Sequence, residues 1–506
     1  MERLDSYFQK FRFLYLTFFI ASCVALYWVG GFTHMRDPYL MMAGGLLLLA
    51  EPVFFSLIML TYSFIRRKLG LTIALIALPA VWVTWEWLYA YGQFSFPWLT
   101  LGDTQTYYLQ KIQFAEITGV YGISLWIVII NVLVFMLFLE AAKLGWKVTQ
   151  RRSVLLIAAI AVLYITPTVY SFTVNENKFM RPSHNEVNIG IVQPNTDPWE
   201  KWTGENSLEG RWNQVKQFLS MTNAQRKDSI QISVWPETAV LFNLPSSRYY
   251  NDFRSAIDSM NVSIITGFVD YRFYENGEAP VGSSVIPGTS VRYDSYNSIM
   301  FAEPRVPFVQ KYAKMRLVPF AERIPYAEKA PFLIEPLRWG VGISNWGIGK
   351  DSTVFEDHLH NSKFLAMVCY ESIFPEFVST FVKRGAQFLV FITNDSWWGN
   401  TSGARQHAQI AVLRAVENRR WVVRCANGGI SCFIDPMGRM YDNTAMYTQA
   451  SIVHRIEPRT EQTFYTRHGD WFARVCAVLA LVAFVTAVAE GLWFKVKGSR
   501  VEGKTS

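Results

Sequence analysis

Hydrophobic positions are distributed in two distinct ways along the chain. Long, nearly unbroken apolar runs fill residues 11–172 and 471–494, whereas 181–468 alternates short apolar runs with polar ones. A membrane-spanning helix needs about 20 mainly apolar residues. The runs near 12–31, 39–64, 70–91, 117–140, 153–172 and 472–494 meet that length, which predicts five spans before the polar region and one after it. The first run has no small-residue cleavage site behind it and reads as a retained anchor. From 187 onward the period changes. Residues 187–193, 232–235, 262–269, 364–369 and 388–393 read as strands buried on both faces, while 207–227 and 402–420 carry helical spacing. This alternation predicts an α-helical multi-span membrane domain (1–180), an α/β layered domain (181–468), and a last span with its tail (469–506).

Charge fixes the orientation. With the N-terminus inside, the inner ends carry Arg3, Lys10 and Arg12; Arg66, Arg67 and Lys68; Lys143, Lys147, Arg151 and Arg152; and Lys495, Lys497, Arg500 and Lys504. The short outer loops, 32–38 and 92–116, hold only Arg36 and Lys111. Cationic loops stay in the cytoplasm, so the polar region is expected outside it. The net charge of +8 is therefore mostly membrane-flanking and does not argue for nucleic acid. Composition agrees: 51% hydrophobic residues and 17% charged, against roughly 25% charged in soluble domains. Glu86, inside Trp85-Glu86-Trp87, is either a functional intramembrane carboxylate or one reaching the interface. The apolar loop beginning at Gly92 either lies in the outer interface, forming an entrance for a lipid tail, or connects tightly beneath the polar region.

Three strand ends carry reactive groups. Trp235-Pro236-Glu237-Thr238 ends on a carboxylate, and Lys311-Tyr312-Ala313-Lys314 precedes an apolar turn with Glu322 eight residues on. Met367-Val368-Cys369-Tyr370-Glu371 ends a strand on a thiol. A thiol becomes a nucleophile when a base takes its proton, and a buried carboxylate can be that base. An ammonium can hold the oxyanion of an acyl-transfer intermediate. Singly, each has a plainer reading: packing for the Cys, a loop cap for the Glu, a solvated Lys. Of five cysteines, Cys369, Cys425 and Cys432 fall in the polar region, too irregularly spaced for a disulfide framework. A Cys425–Cys432 bridge across Gly428-Gly429 stays open. His358-x-His360 lacks further ligands at metal spacing and reads as surface strand or loop. His407 reads as capping or packing near the helix after 394–399. No phosphate-cradling glycine loop, nucleotide fingerprint or internal repeat is present.

Taken together, WPET, KxxLVPFxE, CYE and the run Thr393-Asn394-Asp395-Ser396-Trp397-Trp398-Gly399 resemble the nitrilase superfamily. With the flanking spans, Phe96-Pro97-Trp98-Leu99 and Val192-Gln193-Pro194-Asn195, the chain resembles the apolipoprotein N-acyltransferase family. The resemblance implies an αββα sandwich for 181–468 and a Glu237–Lys314–Cys369 triad supported by Glu322, Tyr370 and Glu371. It places Trp202 and Trp397 on mobile loops beside the site and gives Asn297 a position that members usually keep. It also implies a ping-pong transfer through a Cys369 thioester, from a membrane phospholipid to the amine of a diacylglyceryl-cysteine lipoprotein in the bacterial inner membrane, with no cofactor. Departures are Ala321 for a usual Gly, Arg316 for a frequent His, and six spans where eight are typical, the missing pair being the N-terminal hairpin. The rivals are a membrane-tethered amidase with the same triad and an inactive lipid- or lipoprotein-binding protein.

Overall fold

A computed structural model of the chain describes residues 6–33, 35–143, 150–174, 179, 185–203, 207–275, 278–329, 331–333 and 345–502. Among the described residues, five helices are long and apolar enough to cross a membrane: Tyr7–Leu26, Pro38–Tyr89, Val120–Lys143, Arg151–Thr173 and Trp471–Leu492. The expected second and third spans are thus one 52-residue helix, interrupted at Gly70 (φ 85°, ψ 171°). At 1.5 Å per residue a straight helix of that length measures about 80 Å, far more than the ~30 Å hydrocarbon layer. It is not straight. Phe54 and Tyr89 stack at 3.9 Å, and the Tyr89 hydroxyl donates to Glu51 at 2.7 Å, across 38 residues of sequence. The arms 38–69 and 71–89 therefore run back to back, each long enough for one crossing. Gly70 permits the reversal because its φ/ψ pair is nearly inaccessible to residues with a Cβ. The first span starts earlier than its hydropathy suggests, at Tyr7 instead of residue 12. Arg3, Lys147, Lys504 and the proposed boundary at 180/181 lie outside the described residues.

Two sheets form the polar region. One orders its strands Ala450–Ile456, Val187–Gln193, Ile232–Val234, Ser263–Tyr274, Arg292–Ala302 and Ser284–Val285, with Gln310–Ala313 also on Arg292–Ala302. The other runs Met440–Tyr441, Cys432–Ile434, Val422–Ala426, Phe388–Thr393, Ser362–Val368 and Phe355–Asp357. The central pairs are parallel, as expected for buried, uniformly apolar strands. Side chains alternate between faces. Ile189, Ile191, Ile232 and Val234 point into a core shared with Leu365, Met367 and Val390 of the facing sheet. Val192 and Trp235 point outward, under Trp212, Val215 and Phe218 of helix Leu208–Ala224 and Phe253 and Ile257 of helix Tyr250–Met260. Helices Pro375–Lys383 and Ser402–Asn418 cover the second sheet through Val378, Phe381, Ala411 and Ala415. The result is the αββα sandwich. The strand at 262–269 extends to Tyr274 as a long hairpin with Arg292–Ala302; polar residues in its outer half obscure it in the sequence.

Membrane helices and sandwich meet through polar contacts made by the loop after Tyr89, by Trp28 after the first helix and by the start of helix Val120–Lys143. Trp98 Nε1 donates to Gln406 Oε1 at 2.8 Å, and Trp28 Nε1 to the same oxygen at 3.2 Å. The backbone N–H of Val120 donates to Glu417 Oε1 at 2.9 Å, and Arg419 pairs with Glu116 at 2.9 Å. Loop 92–116 is thus a packed connection, with Phe96 and Trp98 buried beneath the sandwich. Glu86 anchors it, accepting from Trp82 Nε1 (2.8 Å) and from the backbone of Leu101 (2.9 Å).

Candidate active site

Three segments converge at the ends of the two sheets. Glu237 follows strand Ile232–Val234, where Gly267 lets the neighbouring strand approach: a Cβ there would lie 2.4 Å from Thr238 N and 2.8 Å from Glu237 Cα. Lys314 follows Gln310–Ala313, and its backbone N–H donates to the Asn297 carbonyl at 2.9 Å. Cys369 follows Ser362–Val368 and opens a short 3-10 helix, Cys369–Ile373, at φ 49°. Left-handed backbone is uncommon for a residue with a side chain and costs about 1–3 kcal/mol. It turns Cys369 out of the strand direction, and the sequence-expected strand accordingly stops at Val368.

Lys314 is almost completely buried. Its ammonium pairs with Glu322 Oε1 at 2.7 Å and Glu237 Oε1 at 3.6 Å. Asn297 Nδ2 donates to both carboxylates, at 2.7 Å to Glu237 and 3.3 Å to Glu322. Burial works against the ammonium, but Glu322 and Glu237 outweigh it and hold Lys314 well above the usual lysine range. Glu237 moves the other way from an ordinary carboxylate. Burial raises it, Lys314 draws it down, and Glu322 pushes it up again, leaving it raised. Burial, then the charge of Glu237, raises the Cys369 thiol, which rests protonated. The arrangement is a neutral thiol beside a carboxylate with enhanced proton affinity and a fixed cation, a set suited to acyl transfer.

The other residues expected at the site fall into distinct places. Glu371 is fully buried and accepts four hydrogen bonds: from Tyr312 (2.6 Å), Met315 N (2.7 Å), Arg316 N (3.1 Å) and Val368 N (2.9 Å). It ties the lysine and cysteine segments together. Glu322 Oε2 accepts from Val318 N at 2.8 Å, which shapes the turn between Lys314 and Glu322. Tyr370 donates to the Ser95 carbonyl, linking the residue after Cys369 to the membrane-connecting loop. Trp202, on helix Pro198–Thr203, meets Trp346 edge-on with centroids 6.2 Å apart; Trp397 meets Trp199 at 5.1 Å. Ala321 lies outside the left-handed region, which is taken instead by Phe320 (φ 63°), so alanine for glycine there strains nothing.

Sequence reasoning missed two groups. Lys201, inside Glu200-Lys201-Trp202, donates to the Glu237 carbonyl (3.2 Å) and Thr238 Oγ1 (2.9 Å), holding the strained Thr238 (φ 46°). Burial lowers its ammonium to about 7, with Glu237 opposing. The second group is His407. It sits on the Cys369 carbonyl through Nε2 at 3.2 Å and on Asp395 through Nδ1 at 2.9 Å, a closer role than capping. Cys369, Asp395 and His407 have ligand atoms within 4.8 Å of one another. Asp395 is already engaged by Arg424 at 2.8 Å, by His407 and by Thr393, so this donor set is committed to holding the cysteine turn. Asp395 stays well below the usual carboxylate range because Arg424 and His407 overcome its burial. Cys425 and Cys432 are free thiols, and His358 and His360 bond only to Glu303 and Asp357 among the described residues.

Cys369 also borders a cavity of about 630 Å³ lined almost entirely by apolar side chains. Its walls come from the segment after the first membrane helix (Trp28), from Leu40 to Leu57 and Tyr89 of the second, from Phe94–Trp98, from Val318–Ala321, and from Tyr370 and Trp398.

The family model for carbon-nitrogen hydrolases matches residues 188–462, and that for the apolipoprotein N-acyltransferase N-terminal domain matches residues 2–133. An apolipoprotein N-acyltransferase of Chlorobaculum tepidum is 37% identical over 502 residues, covering 96% of this chain and 89% of that protein. One from Geobacter metallireducens is 30% identical over 487 residues, covering 94% and 87%. Among solved structures, Saccharomyces cerevisiae Nit3, a member of branch 10 of the nitrilase superfamily, shares 14% identity at a TM-score of 0.39, covering 54% of this chain and 90% of that one.

Removing Glu371 leaves four donors without their acceptor, each costing about 1–3 kcal/mol. Glu371→Ala is expected to lower the thermal unfolding midpoint in detergent markedly, whereas Glu237→Gln, which keeps the Asn297 contact, leaves it close to wild type. Equal midpoints for Glu371→Ala and wild type would contradict the tying role.

Proposed function

The chain belongs to the apolipoprotein N-acyltransferase family of the carbon-nitrogen hydrolases, and from that premise we propose that Cys369, Glu237 and Lys314 carry its acyl transfer. The protein is a membrane-embedded acyltransferase of lipoprotein maturation. The observation supporting the site assignment is the double position of Cys369: at the wall of an apolar cavity between membrane helices, and beside the Glu237–Lys314 ion cluster. A polar-substrate amidase has no use for a 630 Å³ apolar chamber opening among spans.

In the proposed reaction a phospholipid chain lies in the cavity with its sn-1 ester at Cys369. Glu237 takes the thiol proton as sulfur attacks the ester carbon, and Lys314 with backbone N–H groups holds the oxyanion. The C–O bond breaks, the proton on Glu237 passes to the glycerol oxygen, and lysophospholipid leaves a thioester behind. The α-amine of a diacylglyceryl-cysteine then attacks. Glu237 accepts its proton, the C–S bond breaks, and the thiol is restored. Glu322 and Asn297 set the ionisation of the pair; Glu371 and Tyr370 fix the cysteine turn; Trp202 and Trp397 flank the acceptor side. No cofactor enters this scheme.

We also propose the placement. The distribution of Lys and Arg supports a bacterial inner-membrane protein, with 181–468 in the periplasm between a membrane domain (1–180) and a C-terminal span (469–506).

Two outcomes are expected. Incubated with phospholipid, the wild-type protein gains one acyl mass by intact mass spectrometry and Cys369→Ala gains none; an acylated alanine variant would remove Cys369 as nucleophile. Glu237 must be charged to take the proton, and its affinity for that proton is raised above the ordinary 4.5. Single-turnover acylation should therefore rise with pH along an acid limb centred above 4.5, and Glu237→Gln should abolish that limb with most of the rate. An acid limb unchanged in the glutamine variant would exclude Glu237 as the base.

A further inference from the structure

Beside the apolar cavity lies a second chamber of about 230 Å³, and the two share Pro319 and Tyr370 as a common wall. Its character is different. Gly92, Gln93 and Ser95 form one side, and Arg316 and Arg323 contribute guanidinium groups. These residues follow directly on the outer end of the arm 71–89, where Trp87 and Tyr91 pack edge-on at 5.3 Å. Paired aromatic rings of this kind mark the headgroup level of a membrane protein.

Both guanidiniums have hydrogen-bonding capacity to spare. Arg316 lies over Phe374 and Phe377, 5.4 Å from each ring centre, and no side-chain hydrogen bond or ion pair of its guanidinium occurs among the described residues. Arg323 gives one N–H to the Trp346 carbonyl at 3.0 Å and lies 3.9 Å from Glu328, itself bonded to Gln93. Its Nε is buried with no acceptor. A buried, unpaired N–H on a cation is costly, and planar guanidinium edges match phosphate oxygens in pairs. Glu328 offsets part of the charge, and the chamber keeps a net positive character.

We propose that the Arg316–Arg323 chamber binds the phosphodiester of the acyl-donor lipid. This rests on the phospholipid-donor reading above and extends it. One chain of the lipid occupies the apolar cavity, its ester reaches Cys369, and the phosphate turns over the Pro319–Tyr370 wall to meet the two arginines. The site requires an anionic phosphodiester and does not by itself distinguish the alcohol beyond it.

The test compares two donors carrying the same acyl chain, a phospholipid and an uncharged p-nitrophenyl ester, with full-length protein in neutral detergent and the Cys369 adduct read by intact mass. In the R316Q/R323Q double variant the ratio of phospholipid to ester acylation should fall at least tenfold, and R323K should restore part of it. An unchanged ratio, with the protein folded by its thermal midpoint, overturns the site. Inorganic phosphate, added as a separate competitor, should slow acylation from phospholipid and spare the ester. If it slows both donors equally, the chamber serves free phosphate and the lipid assignment falls. Acylation of wild type by the ester but never by phospholipid would instead overturn the donor reading, and the arginine site with it.

Discussion

A buried ammonium has no stable place in a protein without opposite charge around it. Lys314 sits almost out of reach of water, and two carboxylates and one amide organise themselves about it. Leaving such a buried cation with no carboxylate at all typically costs about 3–5 kcal/mol, so the geometry is held tightly. Glu322 takes the shorter contact and keeps the charge of Lys314 fixed. Glu237, farther away at 3.6 Å and pressed by Glu322, keeps proton affinity to spare. In the proposed reaction this asymmetry separates the roles: one carboxylate holds the cation, the other is free to move a proton.

The same cluster constrains the backbone on every side. Lys314 begins the turn whose other end is Glu322, and Glu371 ties that turn to the cysteine strand through four bonds. Cys369 is forced into left-handed backbone, with His407 and Ser372 both on its carbonyl. Tyr370 then carries the constraint into the loop below the sandwich. Site and membrane helices are thus linked over two residues: Cys369 adjoins the Glu237–Lys314 cluster, and its neighbour forms part of the wall of the apolar cavity.

Much of this was legible in the sequence because it rests on local signals. Apolar length located the long helices, two of the expected spans being joined into one helix broken at Gly70. Buried parallel strands announced themselves at 187–193 and 388–393. The motifs around Glu237, Lys314 and Cys369 marked strand ends that the fold brings together. What stayed hidden depends on distant partners. Nothing near Lys201 indicates that it reaches the Glu237 carbonyl, and nothing near His407 indicates the Cys369 carbonyl. Glu86 and loop 92–116 had two readings each, and no local pattern announces the contacts the structure shows, Glu86 with the backbone of Leu101 and Trp98 with Gln406 under the sandwich. The cavity is invisible in the sequence, since it is assembled from segments far apart in the chain.

The central claim is that the apolar cavity delivers an acyl chain to Cys369. Ala43 lines that cavity together with Phe320 and Ala321 and is not one of the ion-cluster residues, so a tryptophan there takes up cavity space. The most direct measurement is the rate of Cys369 acylation by activated esters of increasing chain length, in wild type and Ala43→Trp. The rate should climb with chain length in wild type and stay flat in the variant, with the shortest ester reacting alike in both. Parallel chain-length profiles in the two proteins would contradict the claim.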